Sequence, residues 1–206
     1  MTTTAATPID QLQHVAGADC LDFANTVATH PAATDGERLR RYDDLIAWSR
    51  QAGTISEGWC DALLAEAERC PDDADAVRRR AIELRELIYR LFTGTAGGHP
   101  SPADLQAFNA LLDDALRHAR VVATADGFSW DWDDDPRALD RPLWPILRSV
   151  ADLLVSSRLD RVRECAGDDC DWLFLDTSRN GTRRWCSMET CGNRAKVRRF
   201  YARHGH

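Results

Sequence analysis

The cysteines of the last quarter of the chain constrain its fold more than any other feature. Four residues separate Cys165 from Cys170, 15 residues follow, and four residues separate Cys186 from Cys191. Two short cysteine pairs joined by a loop are typical of a tetrahedral metal centre, because each pair clamps one side of the ion. Since the protein supplies all four ligands, no coordination position stays open for water. The pattern therefore predicts a structural Zn²⁺ site, not a catalytic one.

Two other interpretations of these four thiols stay open: a redox switch that uses the same thiols, and four free cysteines with accidental spacing. Metal binding is favoured because the segment around them has few apolar residues from which to build a core. Metal ligation would then supply most of its folding free energy, about 10–16 kcal/mol in zinc-finger peptides. His204 and His206 are competing ligands, but we expect the end of the chain to fray. The three other cysteines, scattered among apolar segments, are typical of small core residues: Cys20, Cys60 and Cys70.

Charge divides the chain at the same place as the cysteines. The net charge of the 206 residues is −7. Residues 1–160 carry 16 Arg and no Lys against 27 acidic residues, whereas residues 161–206 carry nine Arg and one Lys against six acidic residues. Opposite signs predict an acidic body, residues 1–160, attached to a basic module, residues 161–206, that meets a polyanion.

Apolar residues at spacings of three and four predict a mainly α body. The predicted helical segments are residues 12–27 with a break at Gly17, 42–53, 57–67, 72–92, 102–116 and 142–158. Residues 93–102 are predicted to form a loop. Residues 120–132 alternate apolar and polar side chains around Asp126-Gly127, which predicts one small β-hairpin. The fold class is thus a helical N-terminal domain with one hairpin, followed by a small zinc-binding module that ends in a basic helix.

The residues after Cys191 predict that basic helix, with Asn193 as its N-cap. Helical spacing places Val197, Phe200 and Tyr201 on one stripe, which we expect to pack against the metal core. Cations cover the other faces and suit phosphate contacts. The candidate nucleic-acid contacts are Arg183, Arg184, Asn193, Arg194, Lys196, Arg198, Arg199 and Arg203. Two alternatives stay open: a solvated helix whose arginines pair with the acidic body, and an acidic protein partner.

Three polar residues, Asp22, Asn25 and Thr26, share one face of an otherwise apolar segment near the start of the chain. Buried polar groups need hydrogen-bond partners. The cluster therefore either bonds to neighbouring helix ends or lines a pocket for a small molecule.

Several motifs carry a resemblance to known families. The tetrapeptide Cys191–Arg194, together with Trp172–Asp176 and Arg184–Met188, resembles the CGNR zinc finger over about the last 45 residues. Leu21–Thr26 and Asp44–Trp48 are similar to the opening of the ABATE domain, which commonly precedes that finger.

The resemblance implies a bacterial, stress-related, one-component transcription regulator. The finger would bind DNA, with Zn²⁺ held by the four cysteines and the turn at Gly192-Asn193-Arg194 starting the DNA-facing helix. The helical domain would sense a small-molecule effector, form a homodimer, or both.

Other functions have less support in the sequence. No apolar run reaches the roughly 18 residues that a membrane span needs, and the first residues lack the pattern of a secretory signal, so we expect a cytoplasmic protein without a membrane partner. No catalytic motif occurs, so we expect no enzyme. The alternative functions are a protein–protein interaction module and a ligand-modifying enzyme with its pocket around Asp22 and Asn25.

Overall fold

The computed structural model describes residues 8–27, 36–96, 100–133 and 135–204. Within these ranges the chain forms seven α-helices and four short strands. In chain order they are α1 (Asp19–Ala24), α2 (Tyr42–Ala52), α3 (Glu57–Arg69), α4 (Pro71–Ala96), α5 (Pro102–Leu116), β1 (Ala119–Thr124), β2 (Gly127–Trp132), α6 (Leu143–Leu154), β3 (Val162–Glu164), β4 (Leu173–Leu175) and α7 (Asn193–His204). Short 3-10 turns lie at Ile9–Gln11 and Leu159–Arg161, and a π-helical turn at Met188–Gly192. The mainly α fold class is confirmed.

The long helix α4 forms the centre of the body. It buries Ala81, Leu84, Ile88 and Leu91 and contacts α1, α2, α3 and α5. Helix α6 packs against α1 and α5 with an apolar side that includes the buried Trp144. No helix of the described residues is both long and apolar enough to cross a membrane. The periodic apolar positions that predicted these helices are the ones that form the core.

Helix boundaries differ from the sequence prediction in three places. Of residues 12–27 only Asp19–Ala24 form an α-helix. The predicted break at Gly17 is present, with a φ of +84°, but residues 12–16 before it and 25–27 after α1 are not helical. Helix α4 runs on to Ala96, into the stretch predicted as a loop, whose residues 97–99 lie outside the described structure. Helix α6 ends at Leu154, four residues before the predicted end. Helix α2 ends as predicted, at Gly53 with a φ of +66°.

The predicted hairpin forms from β1 and β2, with Thr124 opposite Gly127. Its turn lies at Ala125 and Asp126, one residue before the predicted dipeptide. The hairpin is anchored at its base, where Trp132 is buried, and Phe128 near its tip is 82% exposed.

A second antiparallel pair, β3 with β4, was not predicted, since strands of three residues are too short to show a period. Val162, Leu173 and Leu175 belong to the core of the body and not to a separate core. The backbone N–H of Leu175 donates to the carbonyl of Ala16 at 2.7 Å, and β4 contacts α1. The C-terminal module is therefore built onto the body through β3 and β4.

Candidate metal centre

The four cysteines of the C-terminal module come from three local structures. Cys165 follows β3 and Cys170 precedes β4, so the pairing of these strands brings both thiols to one end of the hairpin. The backbone N–H of Cys165 donates to the carbonyl of Trp172 at 2.9 Å and so continues the strand pairing. Cys186 lies in the loop after β4, and Cys191 lies in the π-helical turn that leads into α7.

These four thiols converge on one point. Their Sγ atoms all lie within 4.8 Å of one another, and all four residues are buried. Cys186 Sγ is 3.7 Å from Cys170 Sγ and 3.7 Å from Cys191 Sγ. Metal–sulfur bonds of about 2.3 Å place the sulfurs of a regular tetrahedron about 3.8 Å apart. The arrangement therefore fits a four-thiolate metal site of the size that zinc requires.

The backbone leaves room for such a centre at Gly167. A Cβ atom at this position would lie 3.3 Å from Cys170 Cβ, 3.5 Å from Cys191 Sγ and 3.6 Å from Cys165 Sγ. Nearby N–H groups point at the sulfurs: the Cys186 amide donates to Cys165 Sγ at 3.4 Å, and Arg194 donates to Cys191 Sγ at 3.1 Å. Such donors stabilise thiolates, the form in which cysteine binds metal.

Crowding separates the pKa values of the thiols. Hydrogen bonds from Cys170 and Cys186 lower the pKa of Cys165, whereas the hydrogen bond to Cys165 raises the pKa of Cys170 to about 12. Hydrogen bonds to Cys165 and Cys170 raise the pKa of Cys186 as well. Four thiolates in this volume need a cation to compensate their charge, which a divalent metal supplies when it binds.

Comparison with known families agrees with this geometry. A family model described as "CGNR zinc finger" matches residues 161–204. The ABATE model, described as "Putative stress-induced transcription regulator", matches residues 17–157, which is well over half of the chain. The chain belongs to the ABATE family. No curated protein matches it. The family resemblance expected from the sequence is confirmed, and residues 161–204 are called the CGNR finger below.

Of the eight candidate nucleic-acid contacts, Arg183 is held inside the finger. Its guanidinium lies 4.4 Å from the centroid of the Phe174 ring. It donates to the carbonyls of Trp185 at 3.0 Å, of Cys186, and of Val15 in the N-terminal body at 3.3 Å. This residue connects the second cysteine pair to the body.

Arg194 and Arg198 also have partners within the finger. Arg194 donates to Cys191 Sγ, as described above, and Arg198 pairs with both Asp168 and Asp169 in the turn between the first two cysteines. These contacts fix one face of α7 against the metal centre.

The remaining candidates are exposed. Arg184 and Arg199 lie over the Trp185 ring, 5.5 and 5.8 Å from its centroid. Lys196 and Arg203 lie along α7. Asn193 is the first residue of α7 and not its predicted N-cap, because its backbone is helical and its side-chain amide donates back to the Glu189 carbonyl at 3.1 Å. Arg194 and Arg198 are exposed too, so what separates them from these five candidates is their polar contacts within the finger and not their burial.

The apolar stripe of α7 is exposed to solvent. The prediction that Val197, Phe200 and Tyr201 pack against the metal core is wrong, because the three residues are 54%, 58% and 66% exposed. The arginine contacts described above, not apolar packing, attach this helix to the finger.

The N-terminal polar cluster hydrogen-bonds within the protein. Asp22 Oδ1 accepts from the Ala16 amide at 3.0 Å, and Thr26 Oγ1 donates to the Phe23 carbonyl at 2.8 Å. Asn25 makes two bonds to the backbone of Leu173 in β4, which join the ABATE region to the finger. These bonds correspond to the structural interpretation that the sequence left open beside a ligand pocket.

Two residues of the motif Trp172–Asp176, to which the sequence analysis assigned no role, organise the finger. The Trp172 indole N–H donates to the Val27 carbonyl at 2.9 Å and adds another bond between finger and body. Asp176, which is buried, accepts from the amide and hydroxyl of Ser178 and from the Arg183 amide. Burial alone would raise the pKa of Asp176, but these hydrogen bonds outweigh burial and lower it. An Asp two residues before a Ser is a turn signal that sequence reasoning could have used.

Proposed function

We propose that this protein is a cytoplasmic one-component transcription regulator that binds DNA through its CGNR finger, with Zn²⁺ as the structural metal. The observation that carries the proposal is the position of four exposed cations. Arg184, Lys196, Arg199 and Arg203 are all exposed on the finger, next to a metal centre whose four thiol ligands are already complete. A metal site with four protein ligands is structural and holds the surrounding segments in place. The cations on those segments can then contact the phosphates of a polyanion.

The charge of the whole chain supports the same interpretation. Residues 177–206 carry eight basic residues and Glu189 as the one acidic residue, although the net charge of the chain is −7. The acidic body repels DNA, so the finger sets the orientation in which the protein approaches the duplex.

The ABATE region is the part that we propose to sense a small-molecule effector and to form a homodimer. Hydrogen bonds hold the finger against α1 and its flanking segments: Asn25 donates to it, and the carbonyls of Val27, Ala16 and Val15 accept from it. Any ligand or second copy that shifts these segments would therefore shift the finger with them. Regulators of this kind bind paired half-sites as dimers, with a spacing set by the dimer.

Fluorescence anisotropy of the zinc-loaded full chain with labelled genomic DNA fragments tests the proposal. We expect binding at low salt that weakens steeply with salt, because each neutralised phosphate contributes about −0.9 to the log–log slope. Genome-wide occupancy with and without stress would then identify the operator. Absence of DNA binding at low salt by protein that holds one zinc per chain would refute the proposal, and capture of an acidic protein would favour the interaction-module alternative.

A further inference from the structure

Helix α7 presents an aromatic face to solvent, formed by Val197, Phe200 and Tyr201. Arg194 and Arg198, which flank this face, attach the helix to the finger. Single apolar side chains are common on protein surfaces, whereas neighbouring exposed apolar side chains mark binding sites.

The charges around this aromatic face indicate the chemistry of its partner. Lys196 and Arg203 lie four residues before and three residues after Phe200, so helical spacing places both beside its ring. A second copy of α7 is a poor partner, because pairing two copies would bring like charges together. Glu189 is the one acidic residue among residues 177–206 that could compensate them. The partner that matches both features is a polyanion that also carries flat apolar rings, which is a nucleic acid.

The aromatic face suits unpaired bases better than an intact duplex. In a duplex, neighbouring bases cover the faces of each ring, and the groove edges offer hydrogen-bonding groups that Val197 and Phe200 cannot satisfy. Single strands expose base faces, which stack on aromatic side chains next to basic residues. The rings of Phe200 and Tyr201 lie 5.9 Å apart at 76° to each other, so two bases would stack on them in different directions.

His204 supports this arrangement from within α7. Its ring stacks on Phe200 with 4.6 Å between centroids and 24° between planes, and its Nδ1 lies 3.0 Å from the Phe200 carbonyl. Stacking on one side restricts the rotation of the Phe200 ring, so less conformational freedom is lost when a base binds.

We propose that the aromatic face of α7 binds DNA with unpaired bases, with Phe200 and Tyr201 stacking on bases and Lys196 and Arg203 contacting phosphates. The inference rests on the proposed function and adds to it the class of DNA, which is single-stranded or locally melted.

The test measures anisotropy of the zinc-loaded full chain with a labelled single strand of about 16 nucleotides and with the same sequence as a duplex. We expect the single strand to bind more tightly. The double variant Phe200→Leu, Tyr201→Leu keeps apolar bulk and charge but removes both rings, and it should lose about tenfold or more in single-strand affinity. Phe200→Tyr keeps a ring and should retain the affinity.

A matched control is Phe128→Leu, which removes an exposed ring from the tip of the β1–β2 hairpin and should change neither affinity. Zinc content and circular dichroism confirm that each variant folds. Unchanged single-strand affinity in the double variant, or tighter binding of the duplex, would overturn this inference, while duplex binding would leave the proposed function standing. If neither DNA binds, both fail.

Discussion

Asn25 and Leu173 form a pair of hydrogen bonds across 148 residues of sequence. The side-chain amide of Asn25 donates to the Leu173 carbonyl at 2.8 Å, and its oxygen accepts from the Leu173 amide at 2.8 Å. One side chain thus satisfies both polar groups of a strand residue, in the way that a neighbouring strand would. Because Asn25 follows α1 and Leu173 begins β4, this pair joins the ABATE region to the CGNR finger.

Replacing Asn25 by Ala should destabilise the protein strongly. The substitution leaves the amide and carbonyl of Leu173 buried without their partner, and each such group costs about 1–3 kcal/mol. We expect the free energy of unfolding to fall by about 2–4 kcal/mol, measured by urea denaturation. The finger should also become more sensitive to limited proteolysis.

Asn109→Ala is the matched control, because Asn109 is an exposed residue within α5. It should change the free energy of unfolding by less than about 0.5 kcal/mol. Equal effects of the two substitutions would show that the bonds between Asn25 and Leu173 contribute nothing to stability.

Gly167→Ala should weaken zinc binding. The added methyl group would lie 3.3 Å from Cys170 Cβ, so this ligand must shift slightly to accept it, and it would also contact the sulfurs of Cys191 and Cys165. We expect about a tenfold loss of zinc affinity, as for other changes beside metal ligands. Competition with a chromogenic chelator measures it.

The control for this substitution is Gly58→Ala. A Cβ at Gly58, within α3, meets no atom within 4 Å, and alanine favours a helix over glycine by about 1 kcal/mol. This variant should keep the zinc affinity and raise the unfolding free energy. Identical zinc affinities in both variants would show that Gly167 is not required for the metal site.

The ion pair of Glu37 with Arg85 should make stability depend on pH. Arg85 is fully buried and donates to both carboxylate oxygens of Glu37, at 2.8 and 2.7 Å. Burial raises the pKa of Glu37, but the hydrogen bonds and charge of Arg85 outweigh it and lower the pKa below its ordinary value. The stabilisation is therefore complete above the unfolded-state pKa and is lost as pH falls through the lowered folded-state pKa.

Arg85 also pairs with Glu86 at 3.1 Å, so Glu37→Gln removes one of its two carboxylate partners. The loss of the charged hydrogen bonds to Glu37 should cost about 2 kcal/mol near neutral pH. Urea denaturation at several pH values should show that the difference in unfolding free energy between parent and variant becomes smaller as pH falls below about 4. Asp113→Asn, which breaks an exposed pair with Arg117, should cost less than about 0.5 kcal/mol. If the loss of unfolding free energy in Glu37→Gln were the same at every pH, the Glu37–Arg85 pair would not be a source of pH-dependent stability.

The metal site could be predicted from the sequence because it depends on spacing alone. Two cysteine pairs at fixed intervals specify which atoms meet, and the structure brings all four sulfurs together. The helices of the body could also be predicted from the sequence, because each periodic apolar stripe packs against a large core. The ends of these helices were harder to predict, because the apolar pattern can continue past them. Helix α1 ends at Ala24, although the pattern runs on to Val27.

The orientation of α7 could not be predicted in the same way. An apolar stripe predicts a buried face only where the protein has an apolar core for it to contact. Helix α7 instead contacts a small metal centre, beside which Asp168 and Asp169 pair with Arg198. The acidic turn therefore attracts Arg198, and the stripe turns outward. The pairing of Asn25 with Leu173 was hidden for another reason, since its partner is a backbone group 148 residues away.

The different surroundings of Arg198 and Arg199 predict different roles for two adjacent arginines. Arg198 is neutralised by Asp168 and Asp169, whereas Arg199 lies exposed over the Trp185 ring, 5.8 Å from its centroid. If the finger binds DNA, Arg199→Gln should lower the magnitude of the log–log salt slope by about 0.9, because one phosphate contact is lost. Arg198→Gln should leave the slope nearly unchanged and lower the thermal stability of the finger. Anisotropy titrations across a range of salt concentrations measure both slopes. Equal reductions in slope would mean that Arg198 leaves its aspartates to contact phosphate, and that its pairing with them does not persist in the complex.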